Sequence, residues 1–159
     1  MSKPDPDAAL PEAPVLAPHL VCAGAARAID FYKAAFGATE LVRLPGRNGR
    51  LMHACIAIDG AQVMLTDEMP ECGAMSPKSL GGTPVTINLR VADADAVFAR
   101  AVATGAKGVM APADMFWGDR YGVLDDPFGH RWAVMTTQRR LSQAELREAA
   151  ARFADAMPA

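Results

Sequence analysis

The sequence predicts an α+β fold made of two βαβββ modules followed by a C-terminal helix. Two helical segments of similar sequence, AARAIDFYKAAFGA and DADAVFARAVATGA, place Gly37 and Gly105 in matching positions, 68 residues apart. The turn glycines Gly60 and Gly129 match at an offset of 69 residues. One strand-like run precedes each helix and three follow it. Two nearly equal offsets indicate an internal repeat.

The first module begins with a predicted strand over His19–Cys22 and a helix that stops at Gly37. Glycine suits the left-handed conformation that ends many helices, and the apolar residues before it recur at helical spacing. The dipeptide Asp59-Gly60 predicts a tight hairpin between the last two strands. The three strands after the helix are predicted at Glu40–Leu44, Leu51–Ile58 and Ala61–Thr66.

The second module repeats this order, with a first strand over Val85–Val91 and a helix that stops near Gly105. The turn Asp126–Gly129 joins its last two strands. The strands after the helix are predicted at Gly108–Ala111, Tyr121–Leu124 and Arg131–Thr136.

The remaining chain lies at the two ends. The N-terminal stretch is rich in Pro, Asp and Ala without periodicity, which is typical of a disordered tail. Near the C-terminus, Ser142 and Glu145 form a capping-box pattern, and apolar residues at helical spacing then predict a helix over about 143–156. Its apolar stripe is expected to pack on its own domain or across a dimer. The predicted boundaries are 1–15 for the tail, 16–137 for the repeat domain (modules about 16–68 and 84–137, joined by loop 69–83), and 138–159 for the C-terminal helical extension.

The composition excludes several classes of protein. The 159 residues are 51% hydrophobic with a net charge of −2, so extensive disorder is not expected. The longest basic run is Arg139-Arg140, which argues against a nucleic-acid or membrane partner. No segment has the about 18 consecutive apolar residues of a membrane span, and the N-terminus lacks signal-peptide character. Because Cys22, Cys55 and Cys72 are widely spaced and odd in number, we expect the reducing cytoplasm.

Four stretches within the repeat carry a family resemblance: AIDFYKAAFGA, MHACIAIDGAQVMLTDE, FWGDRYG and DPFGHRW. Over about residues 16–137 the chain resembles the vicinal oxygen chelate superfamily of glyoxalase I, extradiol dioxygenases and bleomycin-resistance proteins, and within it the PhnB-like branch. The resemblance implies a cupped mixed sheet that encloses a cavity, usually in a homodimer. In the superfamily's metalloenzymes it also implies a divalent metal held by four inward side chains.

The implied metal ligands fall on unsuitable residues in this chain. The first ligand position falls on Ala17 or Pro18, and the other three fall on Met64, Thr86 and Ala133. None of these binds a hard or borderline divalent ion. We therefore expect no metal and no other cofactor, although a divalent metal stays an alternative.

Strand alternation places a polar, mostly uncharged set of side chains on the sheet face opposite the helices. Each buried polar group without a partner costs roughly 1–3 kcal/mol, so water or a ligand is expected there. The alternative is that these groups bond to one another and to ordered water. The candidate binding residues on this face are His19, Gln62, Met64, Thr66, Thr86 and Asn88, with Cys55 beside them.

His53 is the candidate catalytic residue, because it lies mid-strand on this face and imidazole side chains are common general acids and bases. A purely structural histidine is the alternative. A nucleophilic Cys55 is not expected, since side chains two residues apart on one strand lie about 6–7 Å apart. His130, in the DPFGH turn, is expected at the surface or in turn contacts.

Two long loops are predicted, at 68–83 and 112–121. The second loop places aromatic residues beside a candidate ion pair between Asp119 and Arg120, as at a cavity lip or a dimer contact. Asp67 and Glu68, at the start of the first loop, are expected to be solvated. The candidate binding residues of the second loop are Trp117, Arg120 and Tyr121.

These observations predict a PhnB-like protein that binds a small organic molecule in the cup as a cytoplasmic homodimer. Any chemistry would be independent of metal, with His53 as proton carrier. One alternative is a metal-dependent lyase, isomerase or dioxygenase in which His19 and His53 recruit Glu40 or Asp67. The other is sequestration of a drug or metabolite without turnover.

Overall fold

The computed structural model describes residues 12–157 and divides the chain into two compact units. The first unit extends to Pro84 and includes Pro127–His130, and the second comprises Val85–Asp126 and the residues from Arg131 onward. Each unit contains one βαβββ module. Residues 1–11 of the predicted disordered tail, and residues 158–159 of the predicted extension, lie outside the described residues.

The first unit contains a four-stranded mixed sheet in the order β1-β4-β3-β2, with β1 parallel to β4 and the other pairs antiparallel. Short 3-10 helices lie at Arg47–Gly49 and Pro70–Cys72. The other elements are β1 His19–Cys22, α1 Ala25–Phe36, β2 Thr39–Pro45, β3 Leu51–Ile58, β4 Ala61–Asp67 and α2 Pro77–Leu80.

The second unit contains a four-stranded sheet of the same type, in the order β5-β8-β7-β6. Here β5 is parallel to β8, and β8-β7 and β7-β6 are antiparallel. The predicted α+β fold and the repeat are therefore confirmed. The elements are β5 Thr86–Arg90, α3 Ala94–Ala103, β6 Lys107–Asp114, β7 Asp119–Asp125, β8 Arg131–Thr137 and α4 Gln143–Ala156.

Two local signals in the first unit produce the structure that they predicted. Asp59 (φ 47°) and Gly60 (φ 82°) both adopt positive φ, as a two-residue turn between β3 and β4 requires. Helix α1 ends at Gly37, which is left-handed, and its amide donates to the Lys33 carbonyl oxygen. The apolar face of α1 is buried, with Ile29 and Tyr32 fully inaccessible to solvent.

The N-terminus of α1 is closed by a carboxylate from the last strand of its module. Asp67 Oδ1 accepts hydrogen bonds from the amides of Gly24 (2.9 Å) and Ala25 (2.7 Å), and Oδ2 accepts one from the Leu51 amide (2.7 Å). The first amides of a helix have no partner within the helix, and Gly24 has no side chain to supply one. Asp67 therefore joins α1, β3 and β4.

The second module uses the same position for the same purpose. Thr136 lies 69 residues after Asp67, the offset already seen for the turn glycines. Its Oγ1 accepts a hydrogen bond from the Ala94 amide (2.8 Å), at the start of α3, and donates one to the Val91 carbonyl oxygen (3.0 Å). In both modules the final strand thus completes the helix.

The prediction that Asp67 and Glu68 are solvated is wrong. Asp67 is 8% exposed, because the parallel pairing of β1 with β4 places it beside Cys22, at the entrance to α1. Glu68 is half-buried, and its Oε1 accepts a hydrogen bond from the Ser76 amide (2.7 Å) in the connection between the modules. Both carboxylates therefore accept hydrogen bonds from backbone amides and do not contact solvent alone.

The prediction of a long loop at 112–121 is also wrong, because the connection between β6 and β7 spans only residues 115–118. Strand β6 continues through Pro112, with a register shift between Met110 and Ala113. Proline lacks an amide donor and is tolerated in an edge strand such as β6, here at the register shift.

Helix α4 begins as predicted. Ser142 Oγ accepts a hydrogen bond from the Glu145 amide (3.3 Å), and Glu145 Oε2 accepts one from the Ser142 amide (2.8 Å). The ring of Phe153 lies 4.9 Å from that of Phe116 between centroids. Leu146 and Phe153 are nevertheless 39% and 47% exposed. Of the helices between residues 12 and 157, none has the length and apolar character needed to cross a membrane.

Candidate functional site

The inner face of the first sheet, opposite α1, brings several predicted site residues together. His19 pairs with Met64 across β1 and β4, and Met64 pairs with Cys55 across β4 and β3. The imidazole rings of His19 and His53 meet edge to face, with centroids 5.8 Å apart. Gln62 lies on the same face, two residues before Met64.

A small cleft opens on this face, with a volume of about 120 Å³. It brings together three of the predicted residues, His53, Gln62 and Met64, and its other walls are apolar. The lining residues are Ala13, Leu41, Val42, His53, Cys55, Gln62 and Met64.

The polar groups of the cleft have defined partners. Gln62 Nε2 donates a hydrogen bond to the Glu12 carbonyl oxygen (3.1 Å), and the Cys55 thiol donates one to Gln62 Oε1 (3.6 Å). Burial raises the pKa of the Cys55 thiol, which keeps it protonated and a weak nucleophile. Burial lowers the pKa of His19, and the nearby His53 lowers it further, so His19 is neutral at neutral pH.

Thr66 lies outside the cleft lining, although alternation places it on the same face as Gln62 and Met64. Thr66 is buried, and its hydroxyl lies within hydrogen-bond distance of the carbonyl oxygens of Met52 (3.0 Å) and Leu51 (3.3 Å). These contacts give Thr66 a role in holding β3 and β4 together.

The candidate residues on β5 and β7 lie in the second unit. Thr86 and Asn88 alternate with the buried Leu89, as the strand pattern predicted, but both are exposed, so the expectation that they are buried polar groups is wrong. The Trp117 ring contacts the Tyr121 ring edge to face, with centroids 5.4 Å apart. Neither aromatic side chain is fully exposed.

The expected ion pair between Asp119 and Arg120 is not formed. Arg120 donates hydrogen bonds to both carboxylate oxygens of Asp95 and, from Nη1, to Asp114 (3.0 Å). These two carboxylates raise the pKa of the Arg120 guanidinium. Asp119 instead lies 3.9 Å from Arg90. Adjacent residues of β7 point to opposite faces, so residues 119 and 120 cannot pair.

His130 was expected at the surface or in turn contacts, and because it is buried, the surface alternative is wrong. Its Nε2 lies 3.1 Å from the Val21 carbonyl oxygen and 3.7 Å from Cys22 Sγ. The turn that carries it belongs to the first unit, where it packs beside β1. Nothing in the local sequence reports this long-range contact.

The residues at the superfamily's metal positions do not form a metal-binding set. Thr86 is exposed, Ala133 is fully buried, and neither has a suitable ligand atom. The alternative carboxylates are engaged elsewhere, Glu40 with Lys33 and Arg43 and Asp67 with backbone amides. Across residues 12–157 no three His, Cys, Asp or Glu side chains are grouped to hold a metal. The absence of a cofactor stays a prediction.

Sequence reasoning missed a larger cleft in the second unit, with a volume of about 580 Å³. Of its residues only Trp117 was a site candidate. Arg139 and Arg140 form the longest basic run of the sequence, and their position at the start of the predicted extension was the available signal. The lining residues are Arg90, Trp117, Asp119, Thr137, Arg139, Arg140, Leu141 and Leu146.

Comparisons with known proteins agree with this architecture. The sequence profile of the Glyoxalase/Bleomycin resistance protein/Dioxygenase superfamily matches residues 15–134. The chain therefore belongs to this superfamily. It is 53% identical to the uncharacterized protein Rv0887c of Mycobacterium tuberculosis over 139 residues, which cover 86% of this chain and 82% of the relative.

Solved structures share the fold. The crystal structure of TioX from Micromonospora sp. ML1 is 26% identical, with a TM-score of 0.60, over 80% of this chain and 98% of TioX. A PhnB protein from Bacillus cereus is 17% identical, with a TM-score of 0.60, over 77% of this chain and 99% of that protein. At this identity the PhnB likeness concerns the fold alone.

Proposed function

We propose that this superfamily member binds a small, partly apolar organic molecule on the inner face of its first module. The observation that carries the proposal is the cleft that gathers His53, Gln62 and Met64. Apolar walls with a few convergent polar groups are the usual composition of a ligand site. If the bound molecule reacts, His53 is the residue placed to carry a proton.

The dimensions of the cleft define how a ligand would use it. Pockets that enclose a whole drug-sized ligand measure roughly 300–1,000 Å³, and this cleft measures about 120 Å³. It therefore accommodates one apolar group of a ligand, packed against Leu41, Val42 and Met64. Within residues 12–157 no protein group hydrogen-bonds the His53 ring, so its nitrogens remain for a polar atom of the ligand.

The proposal includes a PhnB-like assignment, a homodimeric state and a cytoplasmic location. The motifs FWGDRYG and DPFGHRW support the branch, and the family resemblance supports the dimer. The three cysteines are free, which agrees with a reducing compartment. Light scattering coupled to size exclusion would report the mass, and a monomer at micromolar concentration would refute the homodimer.

Methyl NMR of the full chain tests the proposed site. Small neutral cyclic ketones and lactams should shift the Met64 methyl resonance, and Met64→Ala should weaken their binding about tenfold by removing an apolar wall. Met52→Ala is the matched control, because Met52 lies on β3, is 57% exposed and points away from this face. Fragments that bind equally well to both variants, or that never shift Met64, would refute the site.

Assays for turnover of any fragment that binds distinguish catalysis from sequestration. His53→Gln should abolish a catalysed reaction while leaving the fragment bound. Binding without turnover in the native chain would exclude the catalytic role of His53 for that fragment and favour sequestration.

A further inference from the structure

We propose that the larger cleft of the second unit, here called the C-terminal cleft, binds a flat organic anion such as an aromatic carboxylate. The lining residues given above come from β5, β7, β8, the connection before β7, the segment that leads into α4, and α4 itself. At about 580 Å³ the cleft has the size of a small-molecule site. Five of its residues follow the region matched by the superfamily profile.

The wall contributed by the C-terminal extension is held by backbone contacts. The Gly118 carbonyl oxygen accepts hydrogen bonds from the amides of Gln138 (3.0 Å) and Arg139 (2.9 Å). A Cβ atom at Gly118 would lie 2.2 Å from the Arg139 carbonyl oxygen, so only glycine allows this approach. Arg139 also donates a hydrogen bond to Glu145 (2.8 Å) in the first turn of α4. The cleft is therefore preformed.

The charges of the cleft favour an anion. Three guanidinium groups, those of Arg90, Arg139 and Arg140, face one carboxylate, Asp119. Arg90 lies 3.9 Å from Asp119, beyond hydrogen-bond distance, and Arg139 is shared with Glu145. Within the described residues Arg140 has no carboxylate partner. Guanidinium groups bind carboxylates through paired N–H donors.

The adjacent cleft provides a contrast. It has a volume of about 560 Å³ and lies beside the same Arg139, but its two arginines are matched by two glutamates. Arg152 there donates to Glu148. The two clefts are similar in volume, but the charges of the adjacent cleft are balanced, so that cleft has no preference for an anion. The excess of positive charge, and not the volume, therefore makes the C-terminal cleft the candidate anion site.

An unpaired hydroxyl points to a missing partner in the C-terminal cleft. Among residues 12–157, Thr137 Oγ1 is the one buried side-chain nitrogen or oxygen atom without a hydrogen-bond partner. Native proteins rarely leave such groups unmet, and each one calls for an explanation. Thr137 lines the cleft, so a ligand carboxylate that displaces the groups covering this hydroxyl would accept its proton.

The aromatic and aliphatic walls favour a flat body for the ligand. The Trp117 ring is held edge to face by Phe116 (5.0 Å between centroids) and Tyr121 (5.4 Å). Leu141 and Leu146 supply apolar surface from the extension. Aromatic rings prefer such surfaces because they bury apolar area in stacked or edge-on contact.

Calorimetric titration of the full chain with 2-naphthoate tests the proposal, and 2-naphthamide serves as the neutral comparison. We expect one naphthoate site per chain and about tenfold weaker binding of the amide. Arg140→Gln should weaken naphthoate binding about tenfold. Arg147→Gln, an exposed α4 arginine outside the cleft lining, should leave it within about twofold of the native value.

Thr137→Val gives the sharper result, because it removes the unpaired hydroxyl and keeps the shape. Naphthoate binding should weaken about fivefold, while the melting temperature of the free protein should stay level or rise. No saturable binding near 1 mM naphthoate, equal binding of the amide, or unchanged binding in both Arg140→Gln and Thr137→Val would overturn the proposal. Met64→Ala should leave naphthoate binding intact, which separates this cleft from the first.

Discussion

The carboxylate of Asp67 offers the most direct test of how each module is held together. Asp67→Ala removes the acceptor of three amides, those of Gly24, Ala25 and Leu51. The bonds to Ala25 and Leu51 are buried, and the bond to Gly24 is partly buried. The substitution therefore leaves two buried donors without a partner, and water can replace the third bond.

The magnitude follows from these counts. A buried donor left unpaired costs about 1–3 kcal/mol, and a lost helix cap costs about 1 kcal/mol. Two such donors and the cap add up to about 3–7 kcal/mol, so Asp67→Ala should lower the free energy of unfolding by about this amount, which for a chain of this size corresponds to about 6–28 °C in Tm. Asp67→Asn keeps one acceptor oxygen and should cost about 1–2 kcal/mol.

Urea unfolding followed by circular dichroism measures these differences, with the m-value checked for constancy. Thr136→Val is the matched variant in the second module, where a single amide loses its acceptor, and should cost about 1–2 kcal/mol. A loss below about 1 kcal/mol for Asp67→Ala, or a larger loss for Thr136→Val, would refute the assignment of Asp67 as the closing group of α1.

Three further predictions concern the extension, the histidine pair and metals. Gly118→Ala should detach the segment at Arg139 and speed tryptic cleavage after Arg139 and Arg140, whereas an unchanged cleavage rate would contradict the close approach. The NMR-measured pKa of His19 should lie below 6.5 and move towards 6.5 in His53→Gln. Because the unfolded chain binds that proton more readily, stability should fall as pH drops from 6.5 through the folded-state pKa, and His19→Gln should remove this dependence. EDTA should leave the Tm unchanged, since a resident metal at 100 times its dissociation constant would add roughly 2.7 kcal/mol, or about 5–10 °C.

The features predicted well from the sequence are those determined by near neighbours in the chain. The turn at Asp59-Gly60 and the capping box of Ser142 and Glu145 each depend on residues at most three positions apart. The alternation of side chains along a strand follows from its two-residue period alone. It therefore correctly predicted which residues of β5 lie on the opposite side from the buried Leu89. The order of helices and strands in the two modules could be predicted because the same local signals occur twice, at nearly equal offsets.

The errors concern contacts between residues distant in the chain. The capping role of Asp67 depends on a strand pairing across more than 40 residues. The burial of His130 depends on a contact with Val21 at a separation of 109 residues. The sequence identified Arg139-Arg140 only as a short basic pair, because it cannot show that Gly118 brings these residues beside Trp117. Individual side chains can be assigned from pattern, but their partners require the fold.

The closing of α1 by Asp67 has a consequence for synthesis on the ribosome. An isolated helix of 12 residues is marginal in water, and α1 leaves the ribosome well before its partner carboxylate. The acceptor of the Ala25 amide lies 42 residues further along the nascent chain. We therefore expect α1 to reach its native, capped form only once β4 has been translated. The delay is specific to α1, because the side chain of Asp93 caps α3 locally by accepting a hydrogen bond from the Ala96 amide.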